Sequence, residues 1–243
     1  MSTAIESYRS SHVGQGHDYH SRFSDNPRRS LIWSIEQQLL TQICDRHLSG
    51  REIEYLDFAC GTGRILGFLE SRMKTATGVD VSDSMLELAS ENAQQAELVR
   101  ADITQENVLT GRKFDLITAF RFFPNAEAEL RNSVMSELVR MVKDNGFIVF
   151  NNHRSTSSLR SRLARIATVG KRGNGGMSPH AVFDLVDQCG LEIVKVYHAG
   201  VVPEWERLLI HPRAIVNGVE RLGASLPLSW LAEDLLYVCQ KKR

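Results

Sequence analysis

The sequence predicts an α/β fold built on a mostly parallel sheet with helices on both faces. Three observations support this prediction: apolar strand-like segments alternate with helical segments, those strand-like segments are apolar nearly throughout, and polar turn residues follow the first ones. The 243 residues fit one large domain, and apolar residues form 42% of the chain, enough to cover both faces of a sheet. Ligands of such sheets bind beyond the carboxyl ends of the strands.

An N-terminal helical cap is expected over residues 1–48. Residues 1–30 are polar and contain Pro27, whereas apolar side chains recur at helical spacing between Leu31 and Leu48. Gly50 follows, and the helix is predicted to end before it.

Seven later segments have the composition of buried strands. They are Ile53–Phe58, Ala76–Val81, Leu98–Ala101, Phe114–Phe120, Phe147–Phe150, Leu191–Tyr197 and Leu235–Gln240. Helices are predicted at Ile65–Arg72, from Ser82 to about Asn92, from Asn125 to the stop at Asn145-Gly146, and from Ser178-Pro179 to Gly190. In the second of these helices, Met85, Leu86 and Ala89 are expected to face inward.

The composition argues against several classes of protein. Lys plus Arg equals Asp plus Glu, at 29 each, which disfavours an obligate nucleic-acid binder. The four cysteines form no CxxC pair, so free thiols in a reducing compartment and no metal centre are expected. No apolar run approaches the roughly 18 residues of a membrane span, and residues 1–11 lack an apolar signal core, so we expect a soluble cytoplasmic protein.

A glycine-containing turn, Asp57-Phe58-Ala59-Cys60-Gly61-Thr62-Gly63, follows the first predicted strand. Gly61 and Gly63 have no side chain, so a ligand can approach the backbone closely. The turn does not fit G-x-G-x-x-G from either Gly61 or Ala59, and Arg64 stands where a phosphate-binding loop needs lysine. The carboxylate of Asp57 suits a cationic group, such as the ammonium of an amino acid.

Two further aspartates stand at the carboxyl ends of the next two predicted strands. Asp80, in Gly78-Val79-Asp80-Val81, can accept from both hydroxyls of a ribose. Asp102, in Arg100-Ala101-Asp102-Ile103, can accept from an adenine amine while Ile103 covers the ring. Residues 118–123, which follow the fourth predicted strand, can line the space around the reactive group of a ligand. The segments that follow the first four strands together indicate a nucleoside-containing cofactor.

These motifs resemble those of class I S-adenosylmethionine-dependent methyltransferases. The run Leu56–Gly63 resembles the first family motif, and Gly78–Ser82 with Met85-Leu86 resembles the second. Ala101-Asp102-Ile103 and Phe114-Asp115-Leu116-Ile117 resemble the next two, so the resemblance covers about residues 50–150. It implies a Rossmann-like seven-stranded sheet with an antiparallel last strand, in a methyltransferase domain over residues 49–243.

S-adenosyl-L-methionine is the cofactor that this resemblance implies. Its methionine portion is expected at Asp57 and the glycine loop, its ribose at Asp80 and its adenine at Asp102. Tyr19 is a candidate from an N-terminal lid, and Ala59 replaces the first glycine usual in the family. The predicted cofactor contacts are Tyr19, Asp57, Ala59, Cys60, Gly61, Gly63, Asp80, Val81, Met85, Ala101, Asp102, Ile103, Ala119 and Phe120.

Methyl transfer from a sulfonium is an in-line displacement that needs alignment and exclusion of water, but no covalent intermediate. His153 leaves the fifth strand and is the candidate general base; the alternative is a histidine that hydrogen-bonds a loop carbonyl. Arg121 is a candidate substrate contact or a structural ion pair. Phe120, Phe122 and Phe123 are candidates to face the sulfonium, with at least one expected in the core.

Two insertions are expected around the rim of the site. Residues 154–177 form a basic amphipathic segment with a glycine-rich end, which either attracts an anionic acceptor or lipid headgroups or is a solvated face. Residues 201–230 are rich in proline and tryptophan and suit a substrate wall or a homodimer contact.

The predicted function is methylation of a small-molecule or sugar-containing acceptor, with oxygen favoured over nitrogen. Nucleic acid is not expected as substrate, because the chain lacks both the Asn/Asp-Pro-Pro-aromatic run and the Pro-Cys pair of methyltransferases that act on DNA. The alternatives are a non-catalytic module that binds the same cofactor and, less favoured, an NAD-dependent oxidoreductase.

Overall fold

A computed structural model describes residues 27–153, 176–199, 218, 232 and 234–243. The helices are α1 (Pro27–His47), α2 (Arg64–Leu69, with a 3₁₀ turn at Glu70–Arg72), α3 (Asp83–Asn92), α4 (Ala128–Met141) and α5 (Pro179–Gln188). The strands are β1 (Glu54–Phe58), β2 (Thr75–Asp80), β3 (Glu97–Arg100), β4 (Phe114–Ala119), β5 (Val142–Asn152), β6 (Leu191–Ala199) and β7 (Asp234–Lys241).

These strands form one seven-stranded sheet in the order β3-β2-β1-β4-β5-β7-β6. The first five strands pair in parallel, whereas β7 runs antiparallel to both β5 and β6. The predicted Rossmann-like sheet with an antiparallel last strand is therefore confirmed. Because the order reverses at β1 and β4, the carboxyl ends of these two strands flank the crevice where ligands of this architecture bind.

Both faces of the sheet are covered by apolar packing. On one face, α1 and α2 pack against side chains such as Tyr55 and Leu116. On the other face, α4 and α5 pack against Leu56 and Ile117, the next residues of the same strands. This alternation of adjacent residues explains why the central strands read as continuous apolar runs.

Several predicted boundaries are wrong, and the reasons are local. Helix α1 begins at Pro27, four residues before Leu31, because proline is well suited to a first helical turn. Glu127 precedes α4 as its N-cap, whereas the backbone N–H of Asn125 bonds the Phe122 carbonyl at 3.0 Å in a preceding turn. The prediction that Asn125 caps this helix is therefore wrong.

Asn145-Gly146 does not end a helix but lies within β5. Helix α4 stops at Met141, and the chain continues directly into the strand. A Cβ at Gly146 would lie 2.9 Å from the Phe114 carbonyl oxygen, so glycine is required by the close approach of β4. In α3, Leu88 is buried and Leu86 is only half-buried, which corrects the predicted inward set; Met85 and Ala89 are buried as expected.

Parts of the sequence-based interpretation fall outside the described residues. These are Tyr19 and most of the predicted cap, nearly all of the basic insertion and nearly all of the Pro/Trp-rich insertion. No helix in the described part of the chain is long and apolar enough to cross a membrane. The four cysteines are free thiols, as predicted.

Candidate cofactor and methyl-transfer site

The parallel pairing brings the predicted site residues to one edge of the sheet. Asp57 lies opposite Gly78 of β2 and opposite Thr118 of β4. Asp80 lies opposite Arg100 of β3, so Asp102 follows at the same edge. Ala119 pairs with Phe150 of β5, which places Arg121 and His153 just beyond the two strand ends. One edge of the sheet therefore holds residues from five strands.

The glycine loop between β1 and α2 is built from left-handed backbone. Ala59, Gly61 and Gly63 have φ values of 53°, 55° and 75°. A Cβ on Gly63 would lie 3.0 Å from both Cα and Cβ of Ala89 in α3, so this glycine lets two helices approach. A Cβ on Gly61 would meet nothing within 4 Å of the described structure. The open side of the loop is therefore at Gly61.

Asp80 ties the loop to the end of β2. Its Oδ2 accepts from the Gly61 backbone N–H at 2.9 Å, and its Oδ1 accepts from the Ser82 backbone N–H at 3.0 Å. A carboxylate has about four acceptor positions, so each oxygen retains capacity for a ligand hydroxyl. The sequence predicts Asp80 only as a ligand contact; its role in holding the loop depends on the folded backbone.

Asp57 is a buried carboxylate, with 1% of its surface exposed. Its Oδ1 accepts a hydrogen bond of 2.6 Å from Thr118 Oγ1, whereas Oδ2 makes no hydrogen bond to the described residues. Burial raises the pKa of Asp57 to about 7, and the Thr118 hydrogen bond, the charge of Arg64 and the backbone N–H of Leu66 oppose that rise. An unsatisfied buried oxygen of this kind is stabilised by a cationic ligand group.

Helix α1 fixes the residue that follows the glycine loop. Glu36, fully buried, accepts from Arg64 Nη1 at 2.8 Å, and the Arg64 guanidinium lies 4.1 Å from the centre of the Trp33 ring. These contacts anchor the start of α2, and with it the loop. Neither α1 residue was singled out in the sequence, although both lie on one helix at a spacing of three.

The predicted adenine end lies beyond β3. Asp102 is half-buried, and its Oδ1 accepts from the Thr104 backbone N–H at 2.9 Å and from Thr104 Oγ1 at 2.6 Å. Ala101 and Ile103 are buried in the apolar cluster under α4 and α5. Val81 is 38% exposed, whereas Met85 is buried.

Cys60 lies within the glycine loop and is half-buried. Desolvation by burial raises the pKa of its thiol well above the ordinary value, and the nearby carboxylates of Asp57 and Asp80 act in the same direction. The thiol is therefore protonated and unreactive at neutral pH, which suits a packing role in the loop.

The aromatic run after β4 belongs to the core. Phe122 packs edge-on against Phe58 and Phe123, with ring centres 4.9 Å and 5.3 Å apart. Phe123 is fully buried and also contacts Phe150 at 5.0 Å. Phe120 is buried on the opposite face, with the α1 and α2 cluster. All three rings are buried, so the packing role expected of at least one of them extends to the whole run.

Arg121 and the end of β5 lie at the same edge of the sheet. Arg121 has left-handed backbone, with φ of 62°, and its N–H donates to Oδ1 of the buried Asn151 at 2.6 Å. Asn152, also buried, exchanges two hydrogen bonds of 2.9 Å with the backbone of Met177. His153 follows directly and is half-buried. The sequence gives no role to these two asparagines. In the structure, Asn151 holds the backbone of Arg121 and Asn152 holds the backbone of Met177.

Comparison with known proteins connects this site to a family. A family model described as a methyltransferase domain matches residues 56–146. A protein of Geobacillus sp. (strain WCH70) named as a methyltransferase is 34% identical over 104 residues, which are 40% of this chain and 41% of that protein. The dTDP-3-amino-3,6-dideoxy-alpha-D-glucopyranose N,N-dimethyltransferase of Streptomyces fradiae is 31% identical over 107 residues, 44% of this chain and 35% of that enzyme.

The chain thus matches less than half of the length of these relatives. Among solved structures, magnesium protoporphyrin IX methyltransferase of Synechocystis PCC 6803, with bound SAH, has a TM-score of 0.66 at 14% identity and covers 96% of this chain and 98% of its own. At 14% identity, the similarity to this structure shows the fold alone. Residues 56–146 thus match a methyltransferase domain, and the chain has the fold of solved methyltransferases.

Proposed function

We propose that this protein transfers a methyl group from S-adenosylmethionine to a small-molecule or sugar-containing acceptor. The observation that carries the proposal is the buried Asp57 carboxylate, whose Oδ2 has no hydrogen-bond partner in the described structure. A carboxylate so placed suits the ammonium of the cofactor's methionine portion.

The residues present fit the cofactor at its other end as well. Asp80 retains acceptor capacity for ribose hydroxyls after it has bonded the Gly61 and Ser82 amides. Asp102 stands at the next strand end, where it accepts from Thr104 and can accept from an adenine amine. The backbone at Gly61 leaves room for the ligand between these two regions.

When bound, S-adenosylmethionine supplies a methyl group activated by the positive sulfonium. The protein aligns the acceptor with that methyl group and excludes water, since no covalent bond to the protein is required. We propose His153, at the end of β5, as the base that takes the proton of a hydroxyl acceptor. Arg121, held beside it through Asn151, is the proposed contact for an acceptor group of negative charge.

We favour an oxygen acceptor because a hydroxyl gains more from a base than an unprotonated amine does. An amino-sugar acceptor is the alternative, since the Streptomyces fradiae relative is named as an N,N-dimethyltransferase. The basic insertion, residues 154–177, would attract an anionic acceptor. The Pro/Trp-rich insertion, residues 201–230, would line the acceptor pocket or form a homodimer contact. We do not propose nucleic acid as an acceptor.

Methyl-labelled S-adenosylmethionine tests the proposal directly. We expect incubation of the protein with cell extract to label one low-molecular-weight compound, and its mass and fragmentation to show a methyl group on oxygen. Label on nitrogen would support the amine alternative. Tight cofactor binding with no labelled product from any extract would instead indicate a non-catalytic module and overturn the proposed transfer.

A further inference from the structure

Two hydroxyl groups behind Asp57 form a chain of hydrogen bonds that methyl transfer itself does not require. Thr118 Oγ1 lies 2.6 Å from Asp57 Oδ1 and 2.7 Å from the Tyr55 hydroxyl. The three side chains share one face of the sheet, because Thr118 lies opposite Asp57 and Tyr55 precedes it by two residues. All three are buried, with 0–1% of their surfaces exposed.

The direction of these hydrogen bonds follows from the chemistry of the groups. An ionised carboxylate only accepts, so the Thr118 hydroxyl donates its proton to Asp57 Oδ1. Thr118 has no second proton to give, and Tyr55 therefore donates to Thr118 Oγ1. Donors that point the same way along a chain polarise one another, which strengthens the terminal bond to the carboxylate.

The chain leaves the two oxygens of Asp57 in different states. Oδ1 is bound by Thr118, whereas Oδ2 has no partner in the described structure. Burial raises the pKa of Asp57 to about 7, and the Thr118 hydrogen bond opposes this rise and so favours the charged form. The two hydroxyls thus both orient the carboxylate and help to keep it ionised.

We propose that Tyr55 and Thr118 are positioning residues that hold Asp57 with Oδ2 directed at the ammonium group of the cofactor. This inference rests on the proposed function, because it assigns the ligand of Asp57 to that cofactor. It predicts that Thr118 and Tyr55 affect recognition of one atom group of the ligand, the ammonium, and leave recognition of the nucleoside unchanged.

The experiment compares two ligands that differ only in that group. S-adenosylhomocysteine and its deamino analogue, with hydrogen in place of the amino group, are titrated into the full chain by calorimetry. In the wild type we expect S-adenosylhomocysteine to bind at least about tenfold more tightly, as hydrogen bonds to charged groups contribute on this scale. In Thr118→Val this preference is expected to fall by about three- to tenfold, with less than about twofold change for the deamino analogue.

Three further variants separate positioning from general damage to the sheet. Thr118→Ser keeps the hydroxyl and should restore the preference, and Tyr55→Phe should reduce it by about two- to threefold because only the second link is lost. Thr77→Val is the matched control, since Thr77 is a buried strand residue whose hydroxyl accepts from Arg112 at 2.7 Å. It lies opposite Leu56, so its side chain is on the other face of the sheet from Tyr55 and Asp57. The control variant should leave the preference unchanged.

The outcomes are distinguishable. An unchanged preference in Thr118→Val, or an equal loss of affinity for both ligands, would overturn the positioning role while leaving the proposed function intact. Failure of the wild type to bind S-adenosylhomocysteine at all would overturn the proposed function, and the inference with it. Equal behaviour of Thr118→Val and Thr118→Ser would also contradict the role of the hydroxyl.

Discussion

Asp80 Oδ2 accepts a 2.9 Å hydrogen bond from the backbone N–H of Gly61, and this bond joins the end of β2 to the glycine loop after β1. The two motifs that would each contact the cofactor are therefore one physical unit. Loss of the carboxylate should disturb the shape of the loop as well as remove a ligand contact.

Asp80→Asn tests this coupling. An amide offers one acceptor oxygen where the carboxylate offers two, so one of the amides of Gly61 and Ser82 loses its partner. We expect the free energy of unfolding to fall by about 1–2 kcal/mol and affinity for S-adenosylhomocysteine to fall about 10–100-fold. Urea unfolding and calorimetry measure the two effects.

Asp83→Asn is the matched control for that variant. Asp83 is exposed and pairs with Arg100 at 3.0 Å close to the same edge of the sheet. Little change is expected, because exposed ion pairs contribute little to stability. Equal losses of affinity in the two variants would show a general charge effect and argue against the coupling.

Gly61 and Gly63 form a second matched pair. Both have positive φ, so alanine at either position costs about 1–2 kcal/mol of backbone strain. Gly63→Ala also brings a Cβ to 3.0 Å from Ala89, and the total loss should reach about 2–4 kcal/mol. Gly61→Ala should cost less stability but should weaken binding of S-adenosylhomocysteine, since its Cβ enters the open side of the loop. Thermal unfolding with and without S-adenosylhomocysteine measures both effects. A larger loss of stability in Gly61→Ala than in Gly63→Ala would contradict the assignment of Gly61 to the open side of the loop.

Asp57→Asn should change stability in a pH-dependent way. Burial raises the pKa of Asp57 from 3.8 to about 7, so the folded protein holds the proton more tightly than the unfolded chain does. The resulting stabilisation is fully present below about pH 4 and is lost as the pH rises through about 7. At about pH 8, asparagine removes the cost of a buried charge, and we expect the variant to be more stable than the wild type by on the order of 2–4 kcal/mol.

The advantage of Asp57→Asn should shrink as the pH is lowered towards about 4, where the wild-type carboxyl is neutral in both states. Denaturant titrations at three pH values measure it. The same ionisation predicts that the wild type binds S-adenosylhomocysteine more weakly below about pH 7, because the neutral carboxyl no longer attracts the ammonium. A pH-independent stability difference would mean that Asp57 does not titrate in this range.

His153→Ala tests the proposed base. For a hydroxyl acceptor we expect kcat to fall by about 10²–10⁴ with the Kd of S-adenosylhomocysteine unchanged. His180→Ala is the control, because His180 is exposed on α5, where it lies 3.1 Å from Asp184. Wild-type turnover in His153→Ala would exclude the base role and favour an amine acceptor or a structural histidine.

The sheet could be predicted from the sequence because its signals are local and repeated. Apolar runs between turn residues locate all seven strands to within a few residues, apart from β5, which begins at Val142 and not at Phe147. The prediction fails because Asn145-Gly146 has the composition of a helix stop. Glycine is needed at position 146 because β4 packs too closely for a side chain, and this contact exists only in the folded chain.

The candidate site was predictable at the strand ends and less so between them. Asp57 and Asp80 lie at the ends of β1 and β2, and Asp102 follows β3, so their common edge follows from parallel pairing. The contacts of Glu36 with Arg64 and of Asn152 with Met177 join residues more than twenty positions apart, and no local pattern encodes them. The hydroxyl chain behind Asp57 depends in the same way on the register of β1 with β4.

Calorimetric titration of the full chain with S-adenosylhomocysteine and, separately, with NADH tests the central claim most directly. The Asp57 carboxylate and the glycine loop that lacks a dinucleotide pattern predict binding of S-adenosylhomocysteine at one site, at least about tenfold weaker in Asp80→Asn, and no binding of NADH. Binding of NADH without binding of S-adenosylhomocysteine would contradict the assignment of this crevice.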